Sequence, residues 1–168
     1  MREIIICNYD PNWPHQFDNE RIQLLSILEQ LVPVAIEHIG STSVPLLGAK
    51  PVIDIMIGVQ SDDHLDVLIA PIQTLGYVYG KEHEADMPFR RFFRKDTDGL
   101  RSHHIHAVSR SHPFWETHLT FRDHLRSNPA VAREYETLKR GLAAQYRFDP
   151  DGYSTAKGPF ITSVLEPV

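Results

Sequence analysis

Residues 51–59 read Pro-Val-Ile-Asp-Ile-Met-Ile-Gly-Val. A run this apolar and this rich in β-branched side chains predicts a strand buried on both faces. Such a strand needs a packed layer on each side, and helical patterns lie before and after it. The expected class is therefore α/β (α+β): a mixed β-sheet flanked by helices, with further helices at the C-terminus. The run also holds Asp54. A carboxylate inside an apolar strand is costly unless it is paired, hydrogen-bonded or on a metal, which makes Asp54 the first candidate functional residue.

Around that strand the hydrophobic period switches between two and 3.6. A short strand is expected over 2–9, followed by a turn rich in Asn, Asp and Pro over 8–12. Phe17, Arg21, Leu24, Leu28 and Leu31, widened by Leu25, predict a helix over 13–31 that Pro33 ends. Further strands are expected over 34–39, 77–83, 90–95 and 101–108, the last two joined by an Asp98-Gly99 hairpin turn. Ser61 can cap a helix running to about Leu75, with Gly76 as terminator. Trp115, Leu119, Arg122 and Leu125 share one face of a late helix. Pro129 begins another, striped by Val131, Tyr135, Leu138, Leu142 and Tyr146. A last helix carries Tyr153, Phe160, Ile161, Val164 and Leu165 and breaks or kinks at Gly158-Pro159. No repeat or low-complexity tract divides the chain, so residues 1–168 are read as a single domain.

Composition narrows the function classes. The net charge is −5 with histidine neutral, so binding of nucleic acid through an overall basic field is not expected and any phosphate contact must be local. Cys7 is the single cysteine. It can form no internal disulfide and no cysteine-rich zinc site, and its apolar neighbours Ile4, Ile5 and Ile6 suit a packed thiol. A reducing, cytoplasmic setting fits. The first apolar stretch is too short for a signal peptide, and none approaches the ~20 residues of a membrane helix, so no membrane partner is expected. Nothing in the sequence fixes the oligomeric state.

The loop before the apolar strand carries the chemistry. A strand ending in His38-Ile39 runs into Gly40-Ser41-Thr42-Ser43. Glycine permits close backbone approach, and the three hydroxyl residues suit a phosphate as well as an ordinary turn. A carboxylate at the edge of such a loop is the arrangement that metal-assisted phosphoryl chemistry uses.

Residues 40–55, GSTSVPLLGAKPVIDI, preceded by Glu37-His38-Ile39, resemble the signature of the GrpB family, a bacterial-type branch of the nucleotidyltransferase-like superfamily. Tyr9-Asp10-Pro11-Asn12-Trp13 with Phe17 and Glu20 resembles the family's start, and His104-Ile105-His106 its later strand. Phe121-Arg122-Asp123, Leu125-Arg126, Tyr135 with Leu138-Lys139, and Tyr153 with Lys157 and Phe160 resemble its C-terminal helices. The resemblance implies a nucleotidyltransferase-like core with Gly40-Ser41 facing a triphosphate and Asp54 at a metal position. Two departures stand out. Met56 occupies the place where active nucleotidyltransferases carry a second carboxylate on the same strand face, and a thioether is a poor ligand for Mg²⁺. Leu46 stands where the family loop more usually has glycine, and Gly48 is expected to take over its flexibility.

His104 and His106 are two apart on an expected strand and share a face, with His103 on the other. If that strand neighbours the one bearing Asp54, two imidazoles and a carboxylate converge. This donor set suits a transition metal such as Zn²⁺, Mn²⁺ or Fe²⁺ better than Mg²⁺; half-exposed strand histidines hydrogen-bonded to their neighbours are the alternative. His38 and Arg122 are possible accessory residues. Lys50, Lys139 and Lys157 are candidate phosphate ligands beside Gly40, Ser41, Thr42 and Ser43. Lys157 falls on an otherwise apolar stripe, where it either meets a ligand or snorkels. Three functions are open. The first is divalent-metal-dependent nucleotidyl transfer with Asp54 as the catalytic carboxylate. The second is a non-catalytic module binding a nucleotide or phosphorylated small molecule. The third is a metal-dependent hydrolase using Asp54, His104 and His106.

Overall fold

The computed structural model describes residues 3–166. Five strands form one sheet: β1 (Ala35–Ile39), β2 (Ile53–Val59), β3 (Val78–Tyr79), β4 (Arg90–Thr97) and β5 (Leu100–Ser109). Their order across the sheet is β1-β2-β5-β4-β3. The β2/β5 pair is parallel and the other pairs are antiparallel, so the sheet is mixed. Among the described residues six α-helices accompany it: α1 (Trp13–Leu28), α2 (Ile69–Thr74), α3 (Pro113–Ser127), α4 (Pro129–Gln145), α5 (Pro150–Ala156) and α6 (Gly158–Leu165).

The two faces of β2 do different work. Ile53, Ile55, Ile57 and Val59 point to one side and join Leu24 and Leu28 of α1, Ile72 of α2, and Phe93 and Ile105 in the main core. Asp54, Met56 and Gly58 point to the other side, toward α3. There Met56 is fully buried with Ile39, Val108 and Trp115. Gly58 lets Trp115 lie on the strand: a Cβ at this position would sit 2.5 Å from the indole ring. Asp54, at the open end of this face, is the polar member of the alternation.

Several expected boundaries move. Among the described residues of the expected first strand there is a single bridge, Cys7 with Ala49. Ile4 instead donates to the Arg147 carbonyl at 2.8 Å and packs with Ala143 and Tyr153, so the segment ties to two elements rather than extending one ladder; residue 2 lies outside the described residues. Helix α1 ends at Leu28, leaving Leu31 exposed. The expected helix after Ser61 is two 3-10 turns, Asp62–His64 and Asp66–Leu68, before the short α2, and Ser61 makes no capping bond. The strand expected over 77–83 is only Val78–Tyr79, because Lys81–Glu84 coils into a 3-10 turn. Asp98 and Gly99, at φ 52° and 76°, make the left-handed hairpin turn the sequence predicts. The expected last helix breaks at Lys157, and Gly158-Pro159 open α6. After Pro45 the turn is made by Leu46 itself, at φ 66°. Gly48 has no positive φ; it is needed because a Cβ there would strike the Glu136 carboxylate at 2.6 Å.

Candidate functional site

The parallel pairing of β2 with β5 sets Asp54 beside His104 and Met56 beside His106. Asp54, His104 and His106 therefore project from one face, and one ligand atom from each lies within 4.8 Å of the others. His104 Nδ1 is 3.1 Å from Asp54 Oδ1. Arg101 Nη1 lies 3.3 Å from His104 Nε2, and Arg90 Nη1 lies 3.2 Å from His106 Nδ1. Arginine only donates, so each nitrogen it faces carries a lone pair. His104 consequently gives its Nδ1 proton to Asp54. Burial raises the Asp54 pKa, but the His104 hydrogen bond, the imidazoles of His104 and His106 when acid protonates them, and Lys50 outweigh it and hold the carboxyl down at about 2. His106 is lowered to about 3, by burial first, against the pull of Asp54; it is neutral at pH 7. Gly40 presses on this cluster. At φ 70° it occupies the region glycine favours, and a Cβ would sit 2.5 Å from Asp54 Oδ2.

The cluster opens into a cavity of about 350 Å³ between the 40–42 loop and helices α3 to α6. Lys50, Lys139 and Lys157 all line it. Lys50 and Lys157 approach the Tyr153 ring at 5.1 and 4.6 Å, and Lys139 approaches Tyr135 at 5.0 Å. Lys139 is 2% exposed and donates to the Gly48 carbonyl at 2.5 Å. Among the described residues none of the three makes an ion pair within 4.0 Å. Burial lowers the Lys139 pKa to about 7, with Lys157 pushing the same way and Glu136 opposing. Lys157 falls to about 8, through burial and then Lys50, against Asp54. Lys50 is lowered too, by burial, again opposed by Asp54.

Gly40, Ser41 and Thr42 also line this cavity, as does Arg122. Their donors differ in freedom. Thr42 gives its hydroxyl to the Val52 carbonyl and is met by His38 Nε2, while Ser43 bonds back to Gly40. The hydroxyls of Thr42 and Ser43 thus hold the loop, and Ser41 faces Tyr135 in the cavity. Arg122 is committed to Glu37 at 2.7 Å, Asp123 at 2.8 Å and the His38 carbonyl at 3.1 Å. His38 and Ser43 lie apart from the cluster and line a separate cavity. The register explains His38: Ile39 pairs with Asp54, so His38 points to the opposite sheet face, stacked on Phe17 of α1.

Residues outside the expected set complete the cavity. His118 lines it from α3, with its Nδ1 donating to the Phe114 carbonyl at 2.8 Å, which leaves Nε2 as a lone pair. Its place four residues before Arg122 was the available signal. Tyr135 and Tyr153 are buried core residues, as their stripes predict, and also form cavity walls. Arg90 and Arg101 gave no sign of reaching the histidines, since cross-strand neighbours follow from register.

Fold and cleft together define an α/β protein with one basic cavity edged by a carboxylate and imidazoles. Residues 3–167 match the family model described as GrpB protein. The chain belongs to the GrpB family. It is 36% identical to YqkA of Bacillus subtilis over 98% of this chain but 47% of that protein. It is 33% identical to the glutamate-rich protein GrpB of Alkalihalophilus pseudofirmus, over 97% of this chain and 94% of that one. The crystal structure of the conserved protein GrpB from Enterococcus faecalis superposes with a TM-score of 0.82 at 38% identity, covering 95% of this chain and 94% of that one. The Cid1 poly(U) polymerase bound to its short product ApU superposes only at a TM-score of 0.47 and 12% identity, a likeness too remote to transfer activity. Among the described residues no helix is long and apolar enough to cross a membrane.

Proposed function

We propose that the cavity binds a phosphorylated small molecule, with a nucleotide as the ligand the family resemblance suggests. The observation that supports this is the convergence of Lys50, Lys139 and Lys157 without an ion-pair partner. Buried ammonium groups held near one another are unfavourable unless an anion joins them. A chain of phosphates supplies several acceptor oxygens to lysines that act as point charges. Asp54, at the other end, cannot neutralise all three.

Asp54, His104 and His106 would hold a divalent metal beside those phosphates. The donor set fits, since one carboxylate and two neutral imidazoles suit Mn²⁺ or Zn²⁺ better than Mg²⁺. A metal there supplies charge stabilisation at phosphorus or an activated water. For His104 to ligate through Nδ1, its ring proton must move to Nε2 and the Arg101 bond must be given up. Nucleotidyl transfer is the finer reading, and Met56 weighs against a second metal ligand of the carboxylate type. Metal-assisted hydrolysis is favoured instead by one feature, the free Nε2 of His118 on the same cavity.

Calorimetric titration with ATP, ADP, AMP and inorganic tripolyphosphate, with and without Mg²⁺, Mn²⁺ or Zn²⁺, tests the reading. Affinity should rise with phosphate number. Lys157→Ala should weaken it by roughly tenfold or more, as expected for a charge-assisted hydrogen bond. Asp54→Ala should remove the metal dependence. Binding that ignores both substitutions overturns the proposal.

A further inference from the structure

A second cavity, of about 760 Å³, lies on the far side of the Gly40–Leu47 loop. Its walls are largely apolar: Pro14 and Phe17 of α1, Pro45 and Leu47 of the loop, and Leu125 of α3. None of the three lysines reaches it. Two polar side chains in this lining are almost completely buried, Ser43 and His38, and the Ser43 hydroxyl is spent on the Gly40 carbonyl. His38 is 7% exposed and stacks on Phe17 with ring centroids 4.6 Å apart and planes 9° apart.

The hydrogen bonds of His38 fix what it offers. Thr42 spends its single hydroxyl proton on the Val52 carbonyl, so it accepts from His38 Nε2 at 3.0 Å. The ring is neutral, because burial lowers its pKa to about 4 in spite of Asp54. Nδ1 is then a bare acceptor. Among the described residues it has no hydrogen-bond partner, yet it is not sealed from the surroundings, so it reaches open space. The cavity that His38 lines is this one. The rim sets Asp18 and Glu136 against Arg126 and Arg133, so it has no prevailing sign and asks for no ionic group.

We propose that this cavity is a second small-molecule site, taking a neutral planar ring whose N–H or O–H donates to His38 Nδ1. A volume of several hundred cubic ångströms, apolar walls and one oriented polar group are what such sites combine. Phe17 and the prolines give the flat surfaces a ring packs against. The site goes beyond the phosphate reading and shares none of its charged residues. The loop, with the His38–Thr42 bond that crosses it, and Leu125 of α3, which lines both cavities, connect the two.

Matched probe pairs test this on the full chain at pH 7. Phenol and indole keep the donor; anisole and 1-methylindole lack it. The readouts are the dissociation constant from NMR titration and the ¹⁵N resonance of His38 Nδ1. Phenol and indole should saturate below about 10 mM, within reach of ligands this small. The His38 Nδ1 resonance should move toward its hydrogen-bonded position. Each methylated partner should bind roughly tenfold more weakly, as for a lost buried hydrogen bond. In His38→Phe, which keeps the stacked ring, the members of each pair should bind alike. Tripolyphosphate should not compete, so failure of the phosphate site leaves this result standing. Equal affinities within the wild-type pairs, an unmoved His38 resonance, or no saturation by any probe overturns the proposal, even if His38→Phe does not fold.

Discussion

Leu46 holds φ 66° while the residue is 84% exposed. The left-handed conformation costs a non-glycine residue about 1–2 kcal/mol, and glycine would give back about 0.5–1 kcal/mol as backbone entropy. Leu46→Gly should therefore stabilise the protein by roughly 0.5–1 kcal/mol, a rise in Tm of about 2 °C for a chain this long. Thermal unfolding checks it, and an unchanged or lower Tm contradicts it. Met56 gives a different lesson. The missing carboxylate position is sealed under Trp115 and Val108 with no exposure, so Met56→Asp should not restore a metal ligand. It should cost about 2–4 kcal/mol in urea unfolding, as an unpaired buried charge does. A stable Met56→Asp protein with improved Mg²⁺ binding would refute this. Arg101 is the more useful handle on the metal. Its guanidinium faces His104 Nε2, whereas a ligating histidine needs an acceptor there. Arg101→Gln supplies a carbonyl and should tighten Mn²⁺ or Zn²⁺ binding several-fold in a direct metal titration; weaker binding would mean that Arg101 does not oppose the metal.

At the scale of elements, α4 and the end of α5 bring Lys139 and Lys157 to the cavity. Their folded pKa values, about 7 and 8, lie below the ordinary lysine value of 10.5. The unfolded chain therefore binds more protons from about pH 7 up to about 10.5, and stability should rise with pH across that window. Saturating tripolyphosphate should keep both lysines charged and flatten the rise. Urea unfolding from pH 7 to 10, with and without tripolyphosphate, measures both; stability that falls with pH in the ligand-free protein contradicts the assignment. The elements themselves were largely legible. The period-two and 3.6 patterns marked β1, β2, β4, β5, α1, α3 and α4, because each buries a single apolar face or a continuous run. The N-terminal segment and α2 were less so, since one bridge and a few 3-10 turns leave no period to read. For the site, parity along β5 already put His104 and His106 together and His103 apart. Parity cannot say which side of β1 faces Asp54, so it does not reveal that His38, a possible accessory residue, turns away from that cluster. The role of His118 needed the packing of α3 over the sheet, which no local pattern encodes.

For the whole molecule, helices α5 and α6 close the cavity although they are only seven and eight residues long. Short helices open at low free-energy cost, so a bound phosphate chain should slow amide hydrogen exchange in 150–165 more than in β2 or β5. Equal protection throughout would argue that the roof is already rigid. The sheet order has a consequence in time as well as in space. Pairs β1/β2 and β4/β5 each join strands close in sequence, but β2 meets β5 in parallel across about fifty residues, the separation of Asp54 and His104. Closing that long loop comes at a cost that the local hairpins avoid, and such contacts slow folding. The two halves of the carboxylate–imidazole cluster thus come from strands far apart in sequence, and the cluster forms only once β2 pairs with β5. A cation that the proposed site takes up, added during refolding, would report that pairing in time, because no contact within either hairpin brings the three donor atoms together.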